Sequence, residues 1–196
     1  MNMKKVLIVL LTLIISGCAT VSSTKTILET PTIDILVIRV ALKLDQLQYT
    51  YQYDTQDSQE TLKERTLRDA EIFLKELEAF LPGEMSRIVG TQPGQTRFIS
   101  PSEYDSSSGT HGHFWIKVDR MDVTCMEYSK RCVTDKSDLQ TTLVYKNKPA
   151  WESRLNVTVG ANFTGEENDR VTMKRIAKKL VEQLAKDGYI AQPFDE

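Results

Sequence analysis

The chain has 196 residues, 25 Lys and Arg against 27 Asp and Glu, and a formal charge of -2, a balance that offers no basic surface for nucleic acid. With 40% hydrophobic and 8% aromatic residues it has the composition of a folded domain, and its length suits one domain with a proper core better than two. Beyond the first 17 residues no apolar run approaches the roughly 20 residues that a membrane helix needs.

The chain opens with Lys4 and Lys5, runs apolar from Val6 to Ile15, and reaches Ile15-Ser16-Gly17-Cys18. A basic start, a short apolar run and small residues before a cleavage point mark an export signal. With a cysteine directly after the small residues, the stretch resembles the bacterial lipoprotein signal. That resemblance implies removal of residues 1–17 and a lipidated Cys18 at the start of the mature chain. In such lipoproteins an aspartate after the cysteine commonly retains the product at the inner membrane. Ala19 stands there instead, which implies the outer membrane, at its periplasmic face. Each buried methylene of an acyl anchor contributes about 0.8 kcal/mol, so several chains give stable attachment.

Residues 18–33 are rich in Ser and Thr without sustained periodicity and read as a tether, leaving 34–196 as the domain. Leu36, Ile38, Val40, Leu42 and Leu44 then alternate with Arg39, Ala41, Lys43 and Asp45, the period of a half-buried strand. Tyr49, Tyr51 and Tyr53 follow with the opposite parity, which requires a bulge, bend or break near Asp45-Gln46. From Asp57 to Leu81 the apolar spacing becomes three and four, giving an amphipathic helix with Asp57 and Glu60 as a capping box and Pro82-Gly83 as a stop, or one further turn to Gly90.

Residues 91–112 hold Pro93-Gly94, Pro101, three serines and Gly112, and read as a long loop. A second strand starts at Phe114, Ile116 and Val118 and slips parity to Met121, Val123 and Cys125, so it and the first slipping strand are candidates for neighbours that bend together. Thr141, Leu143 and Tyr145, a turn at Asn147-Lys148, and Trp151 through Val159 predict a hairpin. A last helix carries Met173, Ile176, Ala177, Leu180, Val181 and Leu184, with Thr164 and Glu167 at its start and Gly188 at its end. The expected architecture is a two-layer α+β domain: a twisted antiparallel sheet of about four strands with both helices on one face and the other face free to bind.

With Cys18 acylated, Cys125 and Cys132 remain and are expected to pair in an oxidising compartment, for roughly 2.5 kcal/mol on the chain-entropy estimate. The chain's two histidines, His111 and His113, share one face if extended, ~6.6 Å apart along the strand, and with Asp105 or Asp119 are candidate metal ligands. Tyr49, Tyr51 and Tyr53 form an aromatic stripe that either packs or meets a sugar or partner. Lys174, Arg175, Lys178 and Lys179 make a basic helix face, either simply solvated or directed at phosphate-bearing head groups. The nucleophile elbow, Walker, zincin and Rossmann patterns are absent. The expected role is therefore a non-enzymatic accessory subunit of an envelope assembly or transport complex, without cofactor, meeting the membrane through its lipid and one envelope protein. Two alternatives stand beside it: a binding module for lipid, glycan or peptide, and a hydrolase or metal protein using His111 and His113.

Overall fold

A computed structural model describes residues 21–26, 33–46, 48–54, 59–90, 94–105, 111–126, 132–158 and 165–191. The strands are β1 (Val21–Lys25), β2 (Ile35–Ala41), β3 (Gln48–Asp54), β4 (Arg97–Ile99), β5 (His111–Met126), β6 (Val133–Tyr145) and β7 (Lys148–Thr158), with helices α1 (Gln59–Val89) and α2 (Gly165–Lys186). They form an α+β domain whose seven-stranded sheet has the order β1-β7-β6-β5-β2-β4, with β3 also paired to β5. The sheet is larger than the expected four strands, and it is mixed rather than antiparallel. The β2/β4, β2/β5 and β3/β5 pairs are parallel, while β1/β7, β5/β6 and β6/β7 are antiparallel.

The parallel pairs have a simple origin. β2 and β3 lie in line along one edge of β5, β2 against His111–Lys117 and β3 against Arg120–Met126. Between them the chain breaks in a 3-10 turn at Leu44–Gln46, and the register of β5 shifts at Val118/Arg120. The two parity slips in the sequence are thus one structural event, a break in one strand beside a bulge in its neighbour. From the far end of β3, α1 carries the chain back to start β4 beside β2, the crossover that parallel strands require.

One core cluster takes in the alternating positions Leu36, Ile38 and Val40 of β2, Phe114, Ile116 and Val118 of β5, and Trp151, Leu155 and Val157 of β7, together with the stripes of both helices. Both helices therefore cover the same sheet face and touch each other. In α1 the buried stripe Leu62, Ala70, Phe73, Leu74, Leu77, Leu81, Met85 and Val89 runs straight through Pro82. The expected stop at Pro82-Gly83 is thus no stop. The missing proline amide is outweighed by continuing burial, with each fully buried Leu, Met or Val worth about 1.5–3 kcal/mol. The helix ends at Gly90, whose φ is 90°. The start expected at Asp57 lies outside the described residues.

α2 closes as its sequence requires. Gly188 has φ 82°, its amide donates to the Ala185 carbonyl at 3.0 Å, and the Tyr189 amide donates to the Leu184 carbonyl at 2.9 Å, the paired bonds of a Schellman ending. The β6–β7 hairpin turns on Lys146 and Asn147, φ 50° and 61°, with Tyr145 opposite Lys148. The turn lies one residue earlier than expected. Two consecutive left-handed residues give the primed two-residue turn whose twist suits a hairpin.

Two segments without periodicity contain regular elements among their described residues. Within the expected loop 91–112, Arg97–Ile99 is β4, Pro101–Glu103 is a 3-10 turn and His111–Gly112 begins β5. Within the expected tether 18–33, Val21–Lys25 is β1, paired with Leu155 through Trp151 of β7. β1 carries no apolar alternation because side-chain polar bonds help to hold it. Ser23 Oγ donates to Asp187 Oδ2 at 2.7 Å, and the same oxygen accepts from Trp151 Nε1 at 2.6 Å and Gln183 Nε2 at 3.0 Å. Gln183 Nε2 also lies 2.7 Å from Ser23 Oγ.

Asp187 sits at the C-terminal end of α2, where the helix dipole disfavours a carboxylate, and its partial burial also works against ionisation. The hydrogen bonds from Trp151, Ser23 and Gln183 and the charge of Lys25 prevail and hold its carboxyl below the usual range. Asp187→Ala should lower the unfolding free energy by about 2–3 kcal/mol, because it strands the indole N–H of the fully buried Trp151, while Ser23→Ala costs about 1 kcal/mol. Urea titrations followed by Trp fluorescence check the ranking, and equal effects would refute the clamp.

Candidate functional site on the open sheet face

The residues of β5 that alternate with its core positions point away from the helices. Here His111, His113, Trp115, Lys117 and Asp119 follow one another along one strand, beside Arg39 of β2 and Tyr104 from the segment after β4. A second small cluster, Ile35, Val37 and Ile99 with Tyr104 packed on it, lies on this face.

Tyr104 gathers the two histidines. Its ring centroid is 5.2 Å from that of His111 and 5.3 Å from that of His113, both edge-on, and the two imidazoles are 5.9 Å apart. The expectation that both histidines share a face is met. Tyr104 is the member that sequence reading missed, since it stands alone in a segment with no period. Gly112 between the histidines faces the core, where a Cβ would approach Leu143 and Leu36 side-chain carbons at 3.2 Å. The absence of a side chain there lets the helix-side core close directly behind the pair, and a Cβ would require these side chains to shift.

His113 is partly buried, and its buried Nδ1 has no hydrogen-bond partner among the described residues. Burial lowers its pKa below the ordinary value, assisted by the positive charge of Arg39 and by His111. Arg39 stacks over Trp115, its guanidinium carbon 5.5 Å from the ring centroid, and Trp115 is 42% exposed. Among the described residues no group of three His, Cys, Asp or Glu is arranged to hold a metal. Asp119 is engaged by Lys117 at 2.7 Å instead.

Further along the same face, where β5 bulges, a groove of about 620 Å³ crosses the strands, lined among others by Ser22, Gln48, Lys117, Asp119, Arg120 and Arg154. Several of its charged groups are paired. Arg120 Nε lies 3.1 Å from Asp122 Oδ1, and Asn156 donates to Asp138.

The remaining sequence candidates are placed as follows. The backbone of β3 sets Tyr49, Tyr51 and Tyr53 at the register positions of Met121, Val123 and Cys125, and their side chains lie outside the described residues. Cys132 is 2% exposed, and its amide donates to Asp69 Oδ2 of α1 at 2.8 Å. The Cys125 side chain and all of Cys18 lie outside the described residues.

Because the folded state disfavours protonated His113, the unfolded chain takes up that proton first as pH falls below about 6.5. His113 therefore contributes stability that is complete above that pH and is lost on acidification. His113→Phe keeps a ring in place and should flatten this loss. The urea midpoint should fall less between pH 7.5 and 5.5 in the variant than in the parent, and parallel falls would remove His113 as the cause.

No family model matches the sequence, and no curated protein matches it. Among solved structures, a PelC dodecamer from Paraburkholderia phytofirmans aligns at TM-score 0.39 and 11% identity, over 89% of this chain and 100% of that one. A Xanthomonas campestris protein assigned to DUF330 aligns at TM-score 0.40 and 11% identity, over 82% and 85% of the two chains. Scores of this size mark a distant likeness and say nothing of function.

Proposed function

We propose that this chain is a lipid-anchored, non-enzymatic accessory subunit of an envelope assembly or transport complex, held at the periplasmic face of the outer membrane. The observation that carries the reading is the one-sided use of the sheet. Both helices cover one face, while the other presents Tyr104, His111 and His113 beside an exposed Trp115 stacked by Arg39. Aromatic rings and arginine are the side chains that most often anchor a protein partner, and these rings are already held in place by one another. The lipobox supplies the membrane link, and no helix among the described residues is long and apolar enough to cross a bilayer.

A photo-crosslinking residue at Trp115, in the native envelope, should capture one recurrent envelope protein, identified by mass spectrometry. Capture only of the most abundant neighbours would count against the reading. Cys18→Ala should move the protein from the membrane to the soluble fraction and abolish palmitate incorporation. A variant that still sediments with membranes and still incorporates palmitate would refute the anchor.

A second reading, a binding module for lipid, glycan or peptide, is favoured by the groove across the open face, whose paired charges suit a polar ligand. A thermal shift with one such ligand, lost in Arg154→Ala, would support it over the first.

We also propose that Cys125 and Cys132 pair. The β5/β6 register ends with Thr124 opposite Val133, and the reading rests on extending it by one step, which would bring Cys125 opposite Cys132. The exported protein should show no free thiol at either position before reduction, and Cys132→Ser should cost about 2–4 kcal/mol. Alkylation of both cysteines without reductant would refute the bond.

A further inference from the structure

The exposed flank of α2 and the β1 edge of the sheet lie together, and both point to the same neighbour. Resting on the lipid-anchor reading, we infer that the domain lies edge-on against the phosphate-bearing surface of its membrane, with β1 and the basic flank of α2 towards the bilayer.

The first observation is one of reach. Cys18 is three residues before Val21, a span of ~10 Å at most. Val21 does not lie at an end of the sheet. Its row runs through Leu155 and Leu139 to Val118, and β5 continues for another eight residues to Met126. That arm is ~26 Å long. A domain standing on the β5–β6 end would hold Val21 farther from the bilayer than the anchor can reach. β1, however, is an edge strand, so resting on that edge brings Val21 within reach directly. Strands spaced ~4.8 Å apart then place β4 and the Tyr104 cluster on the far side.

The second observation is charge, and it is independent of the first. Arg175, Lys179, Gln183 and Lys186 recur at four-, four- and three-residue spacing and form one stripe of α2. Gln183 bonds to Ser23 of β1, and Arg175 Nη1 donates to the Thr158 carbonyl at the end of β7 at 2.7 Å. The stripe therefore lies along the β1 side of the helix, not the α1 side. Lys178 is exposed on the neighbouring turn, and Lys25 projects from β1 itself. Glu182 neutralises part of this charge, lying 3.1 Å from Lys179 and 3.9 Å from Lys178. Asp187, ionised at the foot of the stripe, offsets Lys25, but Arg175, Lys178, Lys179 and Lys186 against Glu182 still leave the flank net positive, complementary to anionic head groups within a Debye length. The Asp187 clamp makes the pose rigid, since it ties the strand that emerges from the anchor to the helix that carries the charge.

The test uses the full-length protein in its own membranes, with a benzophenone amino acid placed singly at Lys179, at Trp115 on the open face, or at Arg97 on the far edge. Crosslinks to radiolabelled phospholipid are counted, and palmitate on Cys18 is measured in the same samples. The expected result is several-fold more lipid adduct from Lys179 than from either other site. Adding Lys178→Glu and Lys186→Glu should cut the Lys179 yield several-fold while palmitate incorporation stays unchanged. Acylated protein with equal yields at the three sites, a larger yield at Trp115 or Arg97, or a Lys179 yield indifferent to the two reversals would overturn the pose and leave the anchor standing. Absence of palmitate on Cys18 would overturn the anchor, and the pose with it.

Discussion

Everything in the sheet depends on β5. It is the strand to which β2, β3 and β6 all pair, and its 16 residues exceed the run that one straight partner accompanies. The register shift at Val118/Arg120 divides it into two halves with opposite parity towards the core. On one edge β6 follows this bend unbroken, while on the other the chain breaks at Leu44–Gln46, so that β2 accompanies the first half and β3 the second. The consequence is a sheet whose core-facing residues stay on the helix side along both halves, Phe114 and Ile116 before the shift, Met121 and Val123 after it. The groove on the opposite face lies where the shift occurs.

Burial on one face only determines what the two faces can do. The helix-covered face is closed by apolar stripes and by a few polar ties where the sheet leaves backbone groups open. β4 pairs only with Ile35–Val37, so among the described residues the amide of Val40 has no strand beyond it and donates to Glu78 Oε1 of α1 at 2.9 Å. Asn168 of α2 donates to the buried Thr134 carbonyl of β6 at 2.7 Å. These bonds satisfy groups whose burial would otherwise cost about 1–3 kcal/mol each, and they fix where the helices sit. On the other face neither α1 nor α2 intervenes, and among the described residues His111, His113 and Trp115 are supported by one another, by Tyr104 and by Arg39.

What was legible in the sequence follows this division. The two helices, the hairpin of β6 and β7, and the coupled parity slips all write themselves as apolar periodicity, because each buries a face in the core. β1 and the first part of β6 do not. Ser22, Ser23 and Thr24 have no apolar alternation, and Asp135, Lys136, Ser137 and Asp138 carry polar groups on both faces, so hydrogen bonding and neighbours rather than burial make them strands. β4 is three residues long and carries too few positions to show a period. Pro82 was misleading for the converse reason. Its local signal for a stop is real, but the buried positions at Leu81, Met85 and Val89 outweigh it. At the candidate site the shared face of the histidines was readable from their spacing, whereas Tyr104 was not, because it reaches them through a turn.

Under the proposed anchor, the polar character of β1 bears on how the position of a lipid at Cys18 would be transmitted to the domain. A Ser- and Thr-rich segment left free would be a flexible tether, and the domain would sample every orientation within its length. As a strand it has one orientation, fixed at five register positions against β7 and at Ser23 by Asp187. The carboxylate that fixes it also accepts from the core tryptophan Trp151 and stands at the C-terminal end of α2. Opening β1 therefore cannot be a purely local event, since it withdraws a donor from the same oxygen that satisfies the indole. The strand nearest the proposed lipid site is in this way coupled to the centre of the core, and under the anchor reading its orientation relative to the open face is set by the fold.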